Sequence, residues 1–488
     1  MTITGGEITA TGGYGAAGIG GGTGNEQAVG GDGDVTISGG TITATGDYGA
    51  GIGGGRYGNG TVIITGGDIT AKATGDYGAG IGGGLGAKPK PSGTLIGGNG
   101  TVTISGGTIT EASGGYMAAG IGSGFQGLGT VTIEGDAVIK NAQGGKAGAG
   151  IGSGTRGDSE IIIRGNAVIE NAESSANGAG IGAGQGSLRD NISTVGKVTI
   201  EGNAKIENAK SGSGGSGIGG GFIGIGNVII RGNAQIGNAT GGEEGAGIGG
   251  GALGTGDVTI EGNVTIENAK GGAGAAGIGG GAETQPDTKD TRNKVSIKST
   301  EAGSPDITAT GGGASDGSLP GAAAIGSGSV ADGATEVKSD ITIEGKVTID
   351  ATGGGDVAIG DSTNGETRFS GLQVGTTITR RNAKGDDVSQ PGDVVREQAP
   401  TETEGAEAPS TGSVEVERPV TVEGLYVTNV LGKQITHTCT QNGTTLTIRA
   451  NGIVTSAHLT LGMVRTLKAQ GVKTLVFTTL LSRSTTVS

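Results

Sequence analysis

Hydrophobic positions in the first three quarters of the chain recur in units of about 30 residues. Each unit is marked by an isoleucine inside a run of glycine and alanine, usually GAGIGGG. A repeat of this length predicts a solenoid, because one unit cannot bury its apolar face alone and must stack on its neighbours. The marker isoleucines are Ile19, Ile52, Ile81, Ile121, Ile151, Ile181, Ile218, Ile248, Ile278, Ile325 and Ile359.

Three short segments of each unit alternate apolar and polar residues, as half-buried strands do. In the second unit these are residues 35–37 (VTI), 41–43 (TIT) and 50–52 (AGI). Stacking like segments in parallel pairs their backbone groups and buries one continuous core. The pattern therefore predicts an all-β fold, a right-handed parallel β-helix of about eleven coils that spans residues 1–363.

The glycines around each marker isoleucine are expected to face outward, as Gly49, Gly51 and Gly53 would in the second unit. They would supply turns with positive φ and a smooth face without side chains. Longer intervals between markers hold insertions rich in Pro, Asn and Asp, which predict surface loops. These insertions lie near Pro89, Arg189 and Pro286.

Asparagines recur on both sides of the second strand segment in the later units. Equivalent residues of stacked coils lie over one another, so their side-chain amides can form hydrogen-bonded ladders along the axis. We therefore predict a structural role for them. The ladder before the strand consists of Asn166, Asn203, Asn233 and Asn263, and the ladder after it contains Asn171, Asn208, Asn238 and Asn268.

Composition narrows the class of protein further. The 116 glycines lack the three-residue period of collagen, and nine prolines are too few for it. A net charge of −14 disfavours nucleic acid as a partner, because an acidic surface repels phosphate. One cysteine excludes an intrachain disulfide, and the absence of a run of 18 apolar residues predicts no membrane span. The first residues already lie inside a repeat, so we expect an export signal to precede them.

The composition changes twice after the repeat ends. Residues 364–415 are polar and charged, which predicts a flexible linker. Beyond them the chain alternates as strands with a hairpin turn at Asn442, and Leu459 to Leu467 have the spacing of an amphipathic helix. The predicted divisions are a β-helix at 1–363, a linker at 364–415 and a small α+β module at 416–488.

No group of residues in the repeat has the pattern of an active site. Hydrolysis of a glycosidic bond needs two carboxylates close together, and a lyase needs a base with a cation or an arginine. Here the acidic residues recur with the unit, as Glu134, Glu201 and Glu261 do, which indicates a solvated face. The two histidines, His437 and His458, lie outside the repeat. We therefore predict no catalytic residue and no metal ligand.

Cofactor-binding motifs are also missing from the sequence. The glycine runs lack the GxxxxGK[ST] string of a phosphate-binding loop. Asp32 and Asp34 in GGDGD are an isolated fragment of the nine-residue calcium repeat. A GDD string at 385–387 falls in the predicted linker. The prediction is that no cofactor is bound; calcium stays open, without a motif that supports it.

Four tyrosines, Tyr14, Tyr48, Tyr77 and Tyr116, lie four or five residues before the marker isoleucine of the first four units. Stacked coils would bring them together as an aromatic ladder. Aromatic faces bind the apolar faces of sugar rings, so the ladder is a candidate carbohydrate-binding site. The alternative is that the rings shield one edge of the early coils.

The units at 35–55 (VTISGGTITATGDYGAGIGGG) and 198–221 (VTIEGNAKIENAKSGSGGSGIGGG) resemble repeats of glycine-rich β-helix surface proteins of Gram-positive gut bacteria. Some proteins of that group are described as adhesin-like or carbohydrate-binding. The resemblance covers residues 1–363 and implies a stalk or a display surface. It also implies a cell-wall sorting signal, and this chain shows neither an LPXTG motif nor a terminal hydrophobic segment.

Together these observations predict a non-enzymatic protein, secreted or held at the cell surface. Its expected role is adhesin-like display or the binding of polysaccharide or a host glycan. A purely structural stalk or spacer is the first alternative. A polysaccharide lyase or hydrolase of the pectate type is the second.

Overall fold

Stacked coils form three parallel sheets in the first part of the chain, as a computed structural model of the 488 residues shows. Each coil adds one strand to each sheet, and strands pair in parallel with the equivalent strands of neighbouring coils. Two sheets have twelve strands and the third has eleven, so the β-helix has between eleven and twelve coils. The predicted parallel β-helix is confirmed.

The strands of each sheet follow one another at intervals of one coil. The first sheet consists of Thr2–Ile3, Gly33–Ile37, Gly60–Ile64, Gly100–Ile104, Gly129–Ile133, Ser159–Ile163, Thr194–Ile200, Gly224–Gly232, Gly256–Gly262, Asn293–Lys298, Ser339–Glu344 and Arg368–Ser370. The second consists of Glu7–Thr11, Thr41–Gly46, Asp68–Ala73, Thr108–Ser113, Val138–Gly144, Val168–Ser174, Lys205–Ser211, Gln235–Thr240, Thr265–Lys270, Asp306–Thr310, Thr348–Thr352 and Thr377–Arg381. The third consists of Ile19–Gly20, Ile52–Gly53, Ile81–Gly82, Ile121–Gly122, Ile151–Gly152, Ile181–Gly182, Ile218–Gly219, Ile248–Gly249, Ile278–Gly279, Ile325–Gly326 and Ile359–Gly360.

The structure describes most of the β-helix and parts of the module that follows it. In the β-helix the described residues are 1–24, 30–86, 98–282, 292–314, 320–330, 338–361, 368–390 and 393–395. Beyond it they are 418–419, 422, 425–429, 433–442, 444–450, 455–458, 463, 467–468, 471–478 and 485–487. Within these ranges no helix is long and apolar enough to cross a membrane.

The core of the β-helix is a set of stacked aliphatic columns. In coils two to eleven the first sheet contributes two inward residues, the second sheet two and the third sheet its marker isoleucine. In the second coil these are Val35, Ile37, Ile42, Ala44 and Ile52, all buried. Isoleucine and valine suit this arrangement, because branched side chains pack well on a pleated surface. Among the described residues, Phe369 is the one aromatic ring that packs against this cluster.

The glycine after each marker isoleucine takes a backbone conformation that other residues rarely adopt. Its φ lies between +128° and +144° in all eleven coils. A Cβ atom on Gly152 would lie 1.9 Å from the carbonyl oxygen of Gly182 in the next coil. The prediction that Gly49, Gly51 and Gly53 form a smooth outer face is wrong, because all three are buried against the backbone of neighbouring coils.

The β-helix continues beyond its predicted end at residue 363. Strands Arg368–Ser370 and Thr377–Arg381 extend the first and second sheets by one coil. The predicted linker at 364–415 is therefore wrong in its first part, whereas residues 396–417 lie outside the described residues. The repeat was hard to recognise here because this coil lacks a marker isoleucine, and arginine stands at an inward position.

That inward residue, Arg380, occupies the position that Ala351 has in the preceding coil. It is 2% exposed, and its Nε and Nη2 each donate a hydrogen bond of 2.9 Å to the carboxylate of Asp393. The main-chain carbonyl of Asp393 accepts a hydrogen bond of 2.8 Å from Ile378 N–H, on the last strand of the second sheet. The segment after residue 381 thus folds back on the last coil and covers its edge, which would otherwise be unpaired.

The chain divides into two units, residues 1–398 and 399–488. The second contains a five-stranded sheet and a three-stranded sheet. The hairpin predicted around Asn442 is present, since the two strands next to it pair antiparallel. Of the predicted helix, the described residues Met463, Leu467 and Lys468 are helical. The strands are Arg418–Pro419, His437–Asn442, Thr445–Ala450, Thr474–Thr478 and Thr485–Val487 in one sheet, and Gln434–Ile435, Tyr426–Asn429 and Thr455–His458 in the other.

Cys439 lies on the strand His437–Asn442 and is buried in the core of the second unit. Burial raises the pKa of its thiol, since the thiolate loses hydration there. A cysteine that is protonated and covered in this way packs as a small apolar residue.

Candidate functional site

One ladder of asparagines lies on the second sheet of coils five to nine. From the second member onward, Nδ2 donates to Oδ1 of the asparagine in the preceding coil, at 3.0–3.2 Å. The amides of Asn171, Asn208 and Asn238 also donate to a main-chain carbonyl of the preceding coil; Asn208 donates to that of Glu170 at 3.2 Å. The column consists of Asn141, Asn171, Asn208, Asn238 and Asn268.

Each second-sheet strand that carries this ladder has one residue more between its two inward positions than the strands of the earlier coils. In coil three the inward residues Ile69 and Ala71 are two positions apart, whereas in coil four Ile109 and Ala112 are three apart. A β-bulge marks the change between coils three and four, and a second irregularity between coils nine and ten restores the shorter strand. The extra residue leaves a main-chain carbonyl without its sheet partner, and the asparagine of the next coil supplies a donor.

The other ladder lies in the turn between the first and second sheets. Asn166 Nδ2 donates to Asp136 Oδ1 at 3.0 Å. Later members donate to the preceding asparagine at 3.1–3.2 Å; they are Asn203, Asn233 and Asn263. Within each of the two columns, hydrogen bonds along the axis therefore connect the asparagines of successive coils.

Replacing Asn208 with alanine is expected to lower the free energy of unfolding by about 1–3 kcal/mol. The change leaves the Glu170 carbonyl and the Asn238 amide each without a hydrogen bond that Asn208 provides. Asn268→Ala is the matched control, because Asn268 ends the column and its loss should cost about 1 kcal/mol. Urea unfolding followed by circular dichroism measures both, and equal costs would contradict a ladder that depends on its interior members.

The acidic residues after the first-sheet strands are paired with basic residues of neighbouring coils. Arg164 Nε donates to Glu134 at 2.7 Å, and Arg231 Nε donates to Glu201 at 2.7 Å. The signs alternate along the column, which runs Glu134, Arg164, Glu201, Arg231, Glu261, Lys298 and Glu344. Such exposed pairs contribute at most about 1 kcal/mol each. The arrangement agrees with the interpretation of these residues as a solvated face.

The GDD string lies in the turn that follows the last coil. Asn382 Oδ1 accepts a hydrogen bond from the N–H of Asp386 at 2.9 Å. Ser389 donates through its hydroxyl and its N–H to Asp387, which lowers the pKa of that carboxyl. Both aspartates therefore stabilise a turn. Over the described ranges, no cluster of three or more His, Cys, Asp and Glu side chains could hold a metal ion.

Two side-by-side columns of residues form one longitudinal edge of the β-helix. One column holds the residues four or five before each marker isoleucine, and the other holds those four or five after it. Main-chain hydrogen bonds join them: Phe125 N–H donates to the Tyr77 carbonyl at 3.1 Å, and Thr155 N–H to that of Met117 at 2.8 Å. We call this surface the aromatic edge; its rings are Tyr14, Tyr48, Tyr57, Tyr77, Tyr116, Phe125 and Phe222.

Three of the four predicted tyrosines pack ring against ring, Tyr48 stacked on Tyr77 and Tyr14 tilted against Tyr48. The ring centroids of Tyr14 and Tyr48 are 5.1 Å apart, and those of Tyr48 and Tyr77 are 5.9 Å apart. Tyr116 does not continue this stack, because Phe125 packs on Tyr77 at 5.6 Å instead. The predicted ladder is therefore corrected to Tyr14, Tyr48, Tyr77 and Phe125, which we call the aromatic column.

Tyr116 differs from the other tyrosines in its surroundings. Met117 follows it, where the earlier coils have a glycine after the tyrosine. Its ring is 48% exposed and lies beside Lys146, whose Nζ is 5.8 Å from the ring centroid. The ring of Phe125 takes the position over Tyr77, so Tyr116 lies next to the aromatic column without stacking in it.

The rings of the aromatic column are only partly covered. Tyr14 is 67% exposed, whereas Tyr48 and Tyr77 are half-buried. The planes of Tyr48 and Tyr77 differ by 30° at a centroid distance of 5.9 Å, which is within the range of interacting aromatic pairs. Tyr14 and Phe125 are tilted by 57° and 60° against their neighbours.

Two arginines pack on this edge. Arg56 lies 4.7 Å from the ring centroid of Tyr57 and 5.9 Å from that of Tyr14, and it donates to the Tyr57 hydroxyl at 2.8 Å. Arg156 lies 5.9 Å from the Phe125 centroid and is paired with Asp190. Cation–π contacts at exposed sites contribute about 0.5–1 kcal/mol each. Both cations thus stabilise the arrangement of the rings.

Asp190 belongs to the insertion near Arg189, so this predicted surface loop lies next to the aromatic edge. Its Ser187 hydroxyl accepts a hydrogen bond from Arg156 at 3.4 Å. The other two insertions, near Pro89 and Pro286, lie outside the described residues.

The contribution of Arg56, Phe125 and Arg156 to this edge was not anticipated from the sequence. Their constant distance of four or five residues after a marker isoleucine is a usable signal. This regular spacing does not show that the chain reverses its direction around the marker strand. Only the main-chain hydrogen bonds place this column beside the tyrosines.

A family model described as a β-helix repeat matches residues 2–23, 35–56, 62–85 and 102–125. These segments carry the first four coils and all four rings of the aromatic column. The matched segments are β-helix repeats, and the three parallel sheets continue the same architecture through the later coils. No curated protein and no solved structure matches it significantly. The match describes architecture, and both enzymes and non-enzymes are built on β-helices, so function must be argued from the site.

Proposed function

We propose that this β-helix repeat protein is a non-enzymatic, extracellular or cell-surface protein that binds polysaccharide along its aromatic edge. The observation that carries the proposal is the concentration of rings there. Seven of the ten aromatic residues of the chain lie on this one edge; Tyr57 is buried, and Tyr14, Tyr48, Tyr77 and Tyr116 are the partly exposed rings with a hydroxyl. Exposed rings with polar ends are the groups that proteins use to contact the apolar faces of sugars.

Packing of the core does not account for this concentration. The buried cluster consists of isoleucine, valine and alanine, and later coils stack equally well without a tyrosine before the marker. In coil six the equivalent position is Asn177, and in coil eight it is Glu244. The early coils therefore carry rings that the fold itself does not require.

Replacing both Tyr48 and Tyr77 with alanine is expected to weaken polysaccharide binding at least about tenfold, which corresponds to about 1.4 kcal/mol. A glycan array identifies the ligand, and co-sedimentation with the insoluble polysaccharide measures the loss. Tyr426→Ala is the matched control, because Tyr426 is an aromatic residue of the second unit, 42% exposed. It should leave binding unchanged.

The paired phenylalanine variant separates binding from stability. Tyr48→Phe with Tyr77→Phe keeps both rings and should retain most of the affinity. Circular dichroism must show that the alanine variant still melts as a β-helix. Unchanged retention of the polysaccharide by a folded alanine variant would remove the aromatic edge from the proposal.

A structural spacer is the second candidate, and the ladders favour it. Asparagine and charge columns run along the later coils, where each polar side chain bonds to its neighbour and presents no separate site. Under this alternative, recognition belongs to the second unit. Loss of glycan binding in Tyr426→Ala, with full binding in the Tyr48 and Tyr77 alanine variant, would decide for the spacer.

A lyase or hydrolase of the pectate type is tested separately. The full chain is incubated with pectic substrates in the presence of calcium, and unsaturated or reducing-end products are measured. Product release that depends on the protein would overturn the non-enzymatic part of the proposal and leave the location of the binding surface unaffected.

A further inference from the structure

We propose that a hollow on the second sheet, where the asparagine ladder begins, is a subsite for one uncharged sugar residue that presents adjacent hydroxyl groups. This inference rests on the proposed polysaccharide binding and adds the class of sugar and the side chains that recognise it. The hollow has a volume of about 210 Å³ and is open to solvent. Its lining consists of Glu111, Asn141, Ala142, Gln143, Asn171 and Glu173, from coils four to six.

The hollow lies at the point where the ladder on the second sheet is interrupted. The register of the strands puts Glu111 of coil four at the position that Asn141 has in coil five. Glu111 does not continue the ladder, because its carboxylate pairs with Lys72 of coil three at 2.8 Å. The side chain that would be the next partner of Asn141 is therefore engaged with the coil on its other side.

Two polar groups of the lining are left without a protein partner. Asn141 Oδ1 accepts a hydrogen bond from Asn171 Nδ2 at 3.2 Å, but Asn141 Nδ2 donates to no atom of the described residues. Lys210 has the register position of Glu173 in the next coil, yet the Glu173 carboxylate forms neither an ion pair nor a hydrogen bond within the part of the chain that the structure describes. A free amide donor and a free carboxylate acceptor thus line one hollow.

These two groups together match the hydroxyl groups of a sugar. A hydroxyl both donates and accepts, so two adjacent hydroxyls can donate to the oxygens of Glu173 while one of them accepts from Asn141 Nδ2. Hydrogen bonds to an ionised carboxylate are stronger than those between neutral groups. A uronic acid residue is disfavoured, because Glu111 and Glu173 carry the same charge as its carboxylate.

The size of the hollow limits it to one residue of a longer chain. Sites that enclose a whole small molecule have volumes of about 300–1,000 Å³, and this hollow is smaller. Most of the affinity for a polysaccharide must therefore come from contacts elsewhere, and the hollow contributes selectivity for the residue that it holds.

The hollow and the aromatic edge are built from the same coils. The strands Thr108–Ser113 and Val138–Gly144 carry Glu111 and the central residues of the lining. Within three residues of their ends the chain reaches Tyr116 and Lys146 on the aromatic edge. Tyr116 is 48% exposed and lies outside the aromatic column. A polysaccharide bound at this part of the edge can place one residue in the hollow.

Isothermal titration calorimetry of the full chain tests the subsite. The probes are β-1,4-linked gluco-, manno- and xylo-oligosaccharides of six sugars, an oligogalacturonide of equal length, and calcium chloride alone. At least one neutral hexamer should bind, and Glu173→Ala should weaken its binding at least about tenfold. The oligogalacturonide should bind the native chain at least about tenfold more weakly than that hexamer.

Two further variants separate recognition from stability. Asn141→Asp keeps the oxygen that accepts from Asn171 and removes the free donor, so it should weaken hexamer binding at least about fivefold while the melting temperature stays unchanged. Glu267→Ala is the matched control for Glu173→Ala, because Glu267 is an exposed carboxylate on the second sheet of coil nine. It should leave binding unchanged.

Three results would overturn the inference. These are no binding by any neutral hexamer, equal hexamer binding by the native chain and both hollow variants, and calcium binding that Glu173→Ala abolishes without an effect on the hexamer. The last result would identify a cation site. The proposed function fails in a different way, when polysaccharide retention does not depend on Tyr48 and Tyr77. The two failures are therefore distinguishable in one set of variants.

Discussion

Replacing Gly152 with alanine is expected to lower the free energy of unfolding by about 3–5 kcal/mol or to prevent the coil from forming. At a φ of +137° an L-residue with a side chain is strained by about 1–3 kcal/mol. The new Cβ would also lie 1.9 Å from the carbonyl oxygen of Gly182, which accepts a hydrogen bond from Ser153 N–H. The carbonyl must move, and a buried hydrogen bond between coils is lost.

Gly22→Ala is the matched control for this prediction. Gly22 lies in the corresponding glycine run of the first coil, yet nothing lies within 4 Å of the position that its Cβ would take. Its φ is not positive, so alanine should change stability by no more than about 0.5 kcal/mol. Thermal and urea unfolding followed by circular dichroism measure both variants. Equal midpoints for the two would refute the account of the marker glycine.

Natural variation within the repeat supports this distinction between glycines. The residue after the obligatory glycine is serine in coils four and five, Ser123 and Ser153, and alanine in coil six, Ala183. The first glycine after the marker is present in all eleven coils. A side chain is thus accommodated at the second position of the run and excluded from the first.

Replacing Asp393 with alanine is expected to cost about 3–5 kcal/mol, because it leaves the Arg380 guanidinium buried without its counter-charge. Both side chains are almost fully buried, at 2% and 1% exposure, and two hydrogen bonds of 2.9 Å join them. The loss should be felt first at the end of the β-helix. Hydrogen exchange of residues 376–395 and limited proteolysis are the measurements that locate it.

Two control variants test whether the loss of stability in Asp393→Ala comes from the unpaired buried charge. The double variant Arg380→Met, Asp393→Leu removes both charges together and should recover most of the stability, since apolar pairs often replace buried ion pairs at little cost. Breaking the exposed pair of Lys197 and Glu160 should cost less than about 1 kcal/mol. Exchange at residues 376–395 that is unchanged in Asp393→Ala would show that the pair does not hold this segment in place.

Much of the β-helix could be predicted because its information is local and repeated. An alternating triplet such as Val35-Thr36-Ile37 indicates which residues face inward. The repeat length indicates which triplet of the next coil stacks on it. The asparagine columns followed from the same argument, since equivalent residues of neighbouring coils coincide. The sequence pattern does not predict the last coil, because Arg380 stands at an inward position where the earlier coils have an aliphatic residue.

The candidate site was less predictable for a geometric reason. The spacing of Tyr14, Tyr48 and Tyr77 from their markers is regular, so their stacking could be expected. Phe125 lies on the other side of its marker strand in sequence, and only the reversal of the chain places its ring over Tyr77. The spacing alone also suggested that Tyr116 belongs to the same row.

The sequence by itself determined the repeat, the inward aliphatic residues of the strands, the three-sheet parallel arrangement and the identity of the ladder residues. These depend on periods that can be counted along the chain. Only the tertiary structure decided that the marker glycines are covered by the next coil, that Arg380 and Asp393 form a buried pair, and that Phe125 completes the aromatic column. Each of these features depends on how closely segments of different coils approach one another. The order of residues along the chain does not give that distance.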